Sequence, residues 1–337
     1  MIAATVPALE LVCPAGSPAM LKAAVEAGAD SVYCGFRDET NARNFPGLNF
    51  SPEELRAATD WAHERDARVL LALNTFARAD ATDLWRASAD AAAGAGVDAV
   101  IAADLAVLSH MRANHPDTRL HLSVQAAAGT PEAIAFYARE YGVKRVVLPR
   151  VLSVEEIRSL TPEISVETEA FVYGGLCVMA EGRCALSSYA SGRSPNLSGV
   201  CSPPEAVSFS DDHGERTTRL SGFAVDRLPA GEAGGYPTLC KGRFCGSGSD
   251  EAGYLFEDPV SLNAMSLLAG LAGAGVTAVK IEGRQRGRAY VARVTKAFRA
   301  AIDAIGRGES PAPYMSLLGD LAEGARETTG AYRKRWR

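Results

Sequence analysis

The residues of this chain most suited to chemistry are four cysteines, Cys177, Cys184, Cys201 and Cys240, set in one glycine-rich stretch. Four thiolates are the donor set of an iron–sulfur cube or of a structural zinc ion. Their spacing is C-x6-C-x16-C-x38-C and contains none of the C-x2-C knuckles that bring two thiolates to one zinc. Wider, irregular spacing suits a cube, whose corner irons stand further apart. Zinc and simple burial remain open as the other readings.

Cys245 lies five residues past Cys240 and competes with it for the fourth ligand place. Cys13 and Cys34 fall at strand ends, where burial is the ordinary fate of a free thiol and the mouth of a barrel is the other. Arginines gather near the thiols, with Arg183 beside Cys184 and Arg243 beyond Cys240, and Arg284 stands where the last strand ends. Guanidinium forks pair with carboxylate or phosphate, so a small polyanion is an expected ligand. Strand ends also supply Asn74, Asp104, Gln125 and Glu282.

The elements that must position these groups show in the pattern. Apolar runs at 9–12, 31–34, 69–73, 99–102, 121–124, 145–148, 166–172 and 278–281 predict eight strands. Amphipathic stretches at 17–27, 51–65, 82–93, 105–114, 131–141, 153–160, 261–272 and 290–305 predict helices between and after them. Ser51-Pro-Glu-Glu is a capping box with proline in the first turn. Gly28, Gly96, Gly142 and Gly275 each follow a helix and precede a strand, as C-caps do. This alternation predicts an α/β fold, a (β/α)8 TIM-like barrel over 1–337, with an open doubly wound sheet as the alternative. Residues 174–259 break the rhythm with little helix or strand pattern and much Gly, Ser and Pro. An insertion of this length after the seventh strand is expected to be functional, because it leaves from the catalytic face of a barrel. All four cysteines lie inside it.

Composition narrows the classes. The chain has 337 residues, 47% of them hydrophobic and 22% charged, which fits a globular protein. A net charge of −5 offers no general attraction to nucleic acid. The first residues lack the basic and apolar segments of a secretion signal, and no apolar run is long enough to span a membrane, so a cytoplasmic location is expected. His63-Glu64 has no histidine four residues on, and no Gly-x-Ser-x-Gly elbow or Walker-type loop occurs. The C-x3-C-x2-C motif of radical SAM enzymes is missing as well.

Longer motifs carry a likeness. Leu11-Val-Cys-Pro-Ala-Gly16, Gly28-Ala-Asp-Ser-Val-Tyr33, Asn41-Ala-Arg-Asn-Phe-Pro-Gly-Leu-Asn-Phe50, Glu181-Gly-Arg-Cys184, Gly235-Tyr-Pro-Thr-Leu-Cys-Lys-Gly-Arg243 and Val279-Lys-Ile-Glu-Gly-Arg284 resemble the collagenase-like peptidase U-32 family, in particular its members of anaerobic ubiquinone biosynthesis. The resemblance implies a [4Fe-4S] cluster on Cys177, Cys184, Cys201 and Cys240. It further implies a heterodimer with a UbiV-like partner subunit and a UbiT-like lipid-binding accessory protein. The implied activity is that of an iron–sulfur-dependent subunit for oxygen-independent hydroxylation of ubiquinone precursors, with prephenate as hydroxyl donor. For such a dicarboxylate, Asn41, Arg43, Arg183, Arg243 and Arg284 are the expected binding residues. An RNA base hydroxylase and a protease are the alternatives within the same family. The resemblance identifies no catalytic residue, and Cys245 has no counterpart in it.

Overall fold

The computed structural model describes residues 7–177, 179, 181, 184–195, 200–232, 234–246, 248, 250–322 and 326–333. Its centre is a closed barrel of parallel strands: β1 (Glu10–Pro14), β2 (Ser31–Cys34), β3 (Arg68–Leu73), β4 (Ala99–Ala102), β5 (Arg119–Leu122), β6 (Arg145–Val147), β7 (Glu167–Gly175) and β14 (Ala278–Ile281). β14 pairs in parallel with both β1 and β7, and that double pairing closes the ring. The predicted (β/α)8 barrel is therefore present, and the open-sheet alternative is excluded.

Helices follow the strands on the outside: α1 (Pro18–Glu26), α2 (Pro52–His63), α3 (Thr82–Gly94), α4 (Leu105–Asn114), α5 (Pro131–Tyr141) and α6 (Val154–Leu160). Their starts are set locally. Ser51 and Ser153 each form a reciprocal capping box, and Asp104 accepts from the backbone of Ala106 and Val107 to start α4. Their ends use glycine as expected. Gly28, Gly96, Gly142 and Gly275 all hold positive φ, and Gly142 N–H closes on Ala138 carbonyl in the left-handed cap.

Strand alternation divides the side chains into two layers. Val12, Tyr33, Leu70, Ile101 and Ala278 face one another within the barrel. Leu11, Cys13, Cys34, Val69 and Val100 point outward into the large apolar layer beneath the helices. Cys13 therefore faces the helix Arg288–Gly306, where Thr295 Oγ1 lies 3.2 Å from its sulfur, and neither it nor Cys34 lines the mouth cavity. Burial pushes both thiols up to about 12, as inert core cysteines.

The lower half of the barrel interior is ionic. Arg145 bonds Glu10 at 2.6 Å, Glu167 at 2.8 Å and Glu169 at 3.3 Å, and Lys280 Nζ reaches Glu169 at 2.6 Å. Beside them His121 is buried and held neutral, first by desolvation and then by the surrounding cations. The pairing offsets the desolvation cost of charges inside a parallel barrel.

Two expectations need correction. The segment 174–259 is not poor in regular structure. It contains α7 (Leu186–Ser191), an antiparallel sheet of β8 (Val207–Asp212), β9 (Glu215–Leu220) and β10 (Phe223–Pro229), and a hairpin of β11 (Arg243–Cys245) with β12 (Ala252–Tyr254). The turns His213-Gly214 and Ser221-Gly222 have positive φ at both central residues, the geometry that matches hairpin twist. Those two X-Gly pairs between alternating runs were the available signal. The expected helix 261–272 begins instead with β13 (Ser261–Asn263), which pairs antiparallel with the extended end of β7. The helix proper is α8 (Leu268–Gly273). Strand β7 offers free edge beyond the barrel rim, and that edge captures Ser261–Asn263.

Candidate functional site

The mouth of the barrel, at the C-terminal ends of the strands, is lined by charged residues over an aromatic floor. Tyr33, Arg43, Arg150, Lys280, Glu282 and Arg284 surround a cavity of about 60 Å³. Lys280 Nζ stands 4.0 Å from the Tyr33 ring centre, and Arg150 lies 4.1 Å from that of Phe171. Asn74 and Gln125 complete the wall, as their strand-end positions suggested. Asp104 is committed elsewhere: it caps α4 and accepts from Ala77 N–H.

Three of the predicted binding residues meet here. Asn41 is fully buried, accepts from Arg284 Nη1 at 2.7 Å and from Arg43 N–H at 2.9 Å, and donates to Phe36 carbonyl. Gly35 is required at this contact, because a Cβ there would fall 2.4 Å from Asn41 Nδ2. Arg43 Nε faces Glu282 Oε1 at 3.8 Å. Burial acts to raise the Glu282 pKa, but Arg43, Arg150 and the Gly175 N–H outweigh it and hold the carboxyl below its ordinary range. Burial lowers Arg284 to about 10.

The other two predicted arginines differ. Arg243 Nε donates to Asp226 Oδ1 at 2.6 Å, with Tyr254 OH on the other oxygen, and it does not line the mouth cavity. Arg183 lies outside the described residues. A cation missed from the sequence takes a place at the mouth. Arg150 lies three residues past the end of β6, a strand-end position that was legible in Val147-Leu-Pro-Arg150. Its Nε stands 3.5 Å from Glu181 Oε1, outside hydrogen-bond geometry, with both side chains about nine-tenths buried. Burial raises Glu181 to about 7 despite the opposing pull of Arg150.

The cysteines stand next to this mouth. Cys177 follows β7 closely, Cys184 precedes α7, and Cys201 and Cys240 belong to the connections around the antiparallel sheet. All are half-buried, and none of the chain's cysteines is in a disulfide. Cys201 is raised to about 11, first by burial, with Arg43 opposing and Cys177, Cys240 and Cys184 adding to the rise. Cys240 is raised by burial and by the same two partners, Cys177 and Cys184. The four thiols are thus close enough to act on one another's charge, and Arg150 feels Cys177 in turn. Cys245 is exposed on the β11–β12 hairpin, its sulfur 3.5 Å from Asp250 carbonyl. Four half-buried thiols outside any disulfide, with Cys201 and Cys240 raised by burial, fit a multiply charged metal group, whose binding would deprotonate those two.

Among the described residues no helix is long and apolar enough to cross a membrane. Sequence comparison agrees with the motif likeness at the level of the family. The profile of Peptidase family U32 matches residues 16–332. An uncharacterized protease of Methanocaldococcus jannaschii is 32% identical over 88% of this chain and 66% of its own length. The tRNA hydroxylation protein P of Escherichia coli is 29% identical over 94% of this chain and 72% of its own. The 23S rRNA 5-hydroxycytidine C2501 synthase of the same organism is 29% identical over 88% of this chain and 40% of its own. The chain spans 66% of the first of these relatives, just under two thirds. With a family match over nearly its whole length, the chain belongs to peptidase family U32.

Proposed function

We propose that this chain is a UbiU-like, iron–sulfur-dependent subunit for oxygen-independent hydroxylation of ubiquinone precursors, working with a UbiV-like partner. The observation that carries the reading is the gathering of four thiols beside a cationic barrel mouth. Cys177, Cys184, Cys201 and Cys240 would hold a [4Fe-4S] cluster, which when bound supplies one-electron chemistry. Arg43, Arg150 and Arg284 would receive an anionic end of a small hydroxyl donor such as prephenate, since the cavity admits little more than a carboxylate. Asn41 holds the Arg284 fork in place, and Glu282 holds Arg43. Glu181, with its raised pKa, is suited to give or take a proton at its carboxyl oxygen near neutral pH.

Relatives named for tRNA and rRNA hydroxylation support a second reading, hydroxylation of an RNA base. One experiment addresses both. The gene is deleted in its host, and anaerobically grown cells are analysed for quinone intermediates and for hydroxylated nucleosides in tRNA and rRNA. Accumulation of an under-hydroxylated quinone precursor, reversed by the intact gene and not by Cys177→Ala, supports the proposal. Normal quinones with a missing nucleoside hydroxyl overturn it in favour of the RNA reading.

A further inference from the structure

On the face opposite the mouth, three side chains converge without any part in the site described above. Helices α3 and α4 run back from the mouth toward the strand starts. Asp90 lies in the C-terminal half of α3, His110 lies on α4, and His115 caps the C-terminus of α4. His110 Nε2 and His115 Nε2 each stand 2.6 Å from the same oxygen, Asp90 Oδ1. The rings are 6.0 Å apart and tilted by 57°, so both nitrogens aim at one point. The Asn114 side-chain amide donates to the other ring nitrogen of His110 at 3.2 Å and to the His110 carbonyl at 2.9 Å, which fixes the ring orientation in the metal-free protein.

We propose that Asp90, His110 and His115 form a surface site for a divalent transition metal of the zinc class, clipping α3 to α4. Two imidazoles and a carboxylate suit zinc, cobalt or nickel and not the hard, oxygen-seeking calcium or magnesium. The geometry needs little adjustment. Bonds of about 2.0–2.1 Å place tetrahedral ligand atoms about 3.3 Å apart, so each nitrogen–oxygen pair must open by about 0.7 Å. Side-chain rotation on an exposed surface supplies that. The protein offers three ligands, which leaves a position for water or for a donor from another molecule.

Cobalt(II) and zinc(II) titrations of the anaerobically prepared full chain test this. Cobalt bound through imidazole and carboxylate shows weak visible bands without the intense thiolate-to-cobalt absorption that the cysteines would produce. The wild type should take up one such ion per chain, and zinc should displace it. His115→Gln and His110→Gln each keep a polar group able to reach Asp90 but remove a ligand, and should weaken binding about tenfold or more. Their unfolding midpoints without metal should stay near that of the wild type, whereas zinc should raise the midpoint of the wild type more than that of either variant. Absence of the thiolate-free cobalt bands in the wild type, or equal affinity in the variants, would reduce the cluster to a hydrogen-bonded surface triad and overturn the proposal.

Discussion

Arg284 donates from Nη1 to Asn41 Oδ1 at 2.7 Å, joining the loop after β2 to the end of β14 across 243 residues of sequence. Both side chains are almost wholly buried, so Asn41 serves the site by aiming Arg284. Asn41→Ala leaves a buried guanidinium and the Arg43 and Phe36 backbone groups without this partner. The expected loss of stability is about 2–3 kcal/mol. Urea unfolding measures it, and a loss under about 1 kcal/mol would show that water or neighbours replace the contact.

The Lys280–Glu169 pair inside the barrel behaves differently from a surface ion pair. Glu169→Gln leaves Lys280 and Arg145 with an unbalanced charge and should cost about 3–5 kcal/mol. Replacing both Lys280 and Glu169 by leucine should cost less than the sum of the single changes. A double-mutant cycle decides it, and simple additivity would count against coupling.

Folding stability should carry a pH slope from Glu181. Its carboxyl titrates at about 7 when folded, above the ordinary 4.5, because burial favours the neutral form. The folded state therefore binds more protons between those values. Its contribution is fully present below about 4.5 and is lost as pH rises through 7. The span, which already includes the opposing pull of Arg150, sets an upper bound of about 3 kcal/mol. Glu181→Gln should flatten the slope in metal-free protein and make the variant relatively more stable at pH 8. An unchanged slope would assign it to another group.

The cysteine assignment separates by position. Cys177→Ala, Cys184→Ala, Cys201→Ala and Cys240→Ala should each remove most of the iron and acid-labile sulfide from anaerobically prepared protein. Cys245→Ala should keep both, since that thiol sits on an exposed hairpin. Retention of full iron in Cys240→Ala together with its loss in Cys245→Ala would exchange the fourth ligand.

The barrel was legible in the chain because its signals are local. Eight apolar runs, the Ser51 and Ser153 capping boxes and the glycines at 28, 96, 142 and 275 each act within a few residues. Strand alternation even placed Tyr33 inward and Cys34 outward once the ring closed. The small antiparallel sheet was missed although its two X-Gly turns were present, because β8 is exposed and β9 and β10 bury only a few apolar side chains among polar ones.

The site was only half visible. The strand-end rule brought Asn74, Gln125 and Glu282 to the mouth and marked the place of Arg150. It could not tell which arginine meets which acid, since Arg43–Glu282 and Arg150–Glu181 join distant loops. Arg243 carried the same sequence credentials and is spent on Asp226. The four cysteines suggested a metal centre by residue type alone, and Cys245 matched them in type. Only the tertiary structure set them apart by exposure, half-burying Cys177, Cys184, Cys201 and Cys240 and leaving Cys245 on an exposed hairpin, because burial depends on the sheet and turns that fold between residues far apart in sequence.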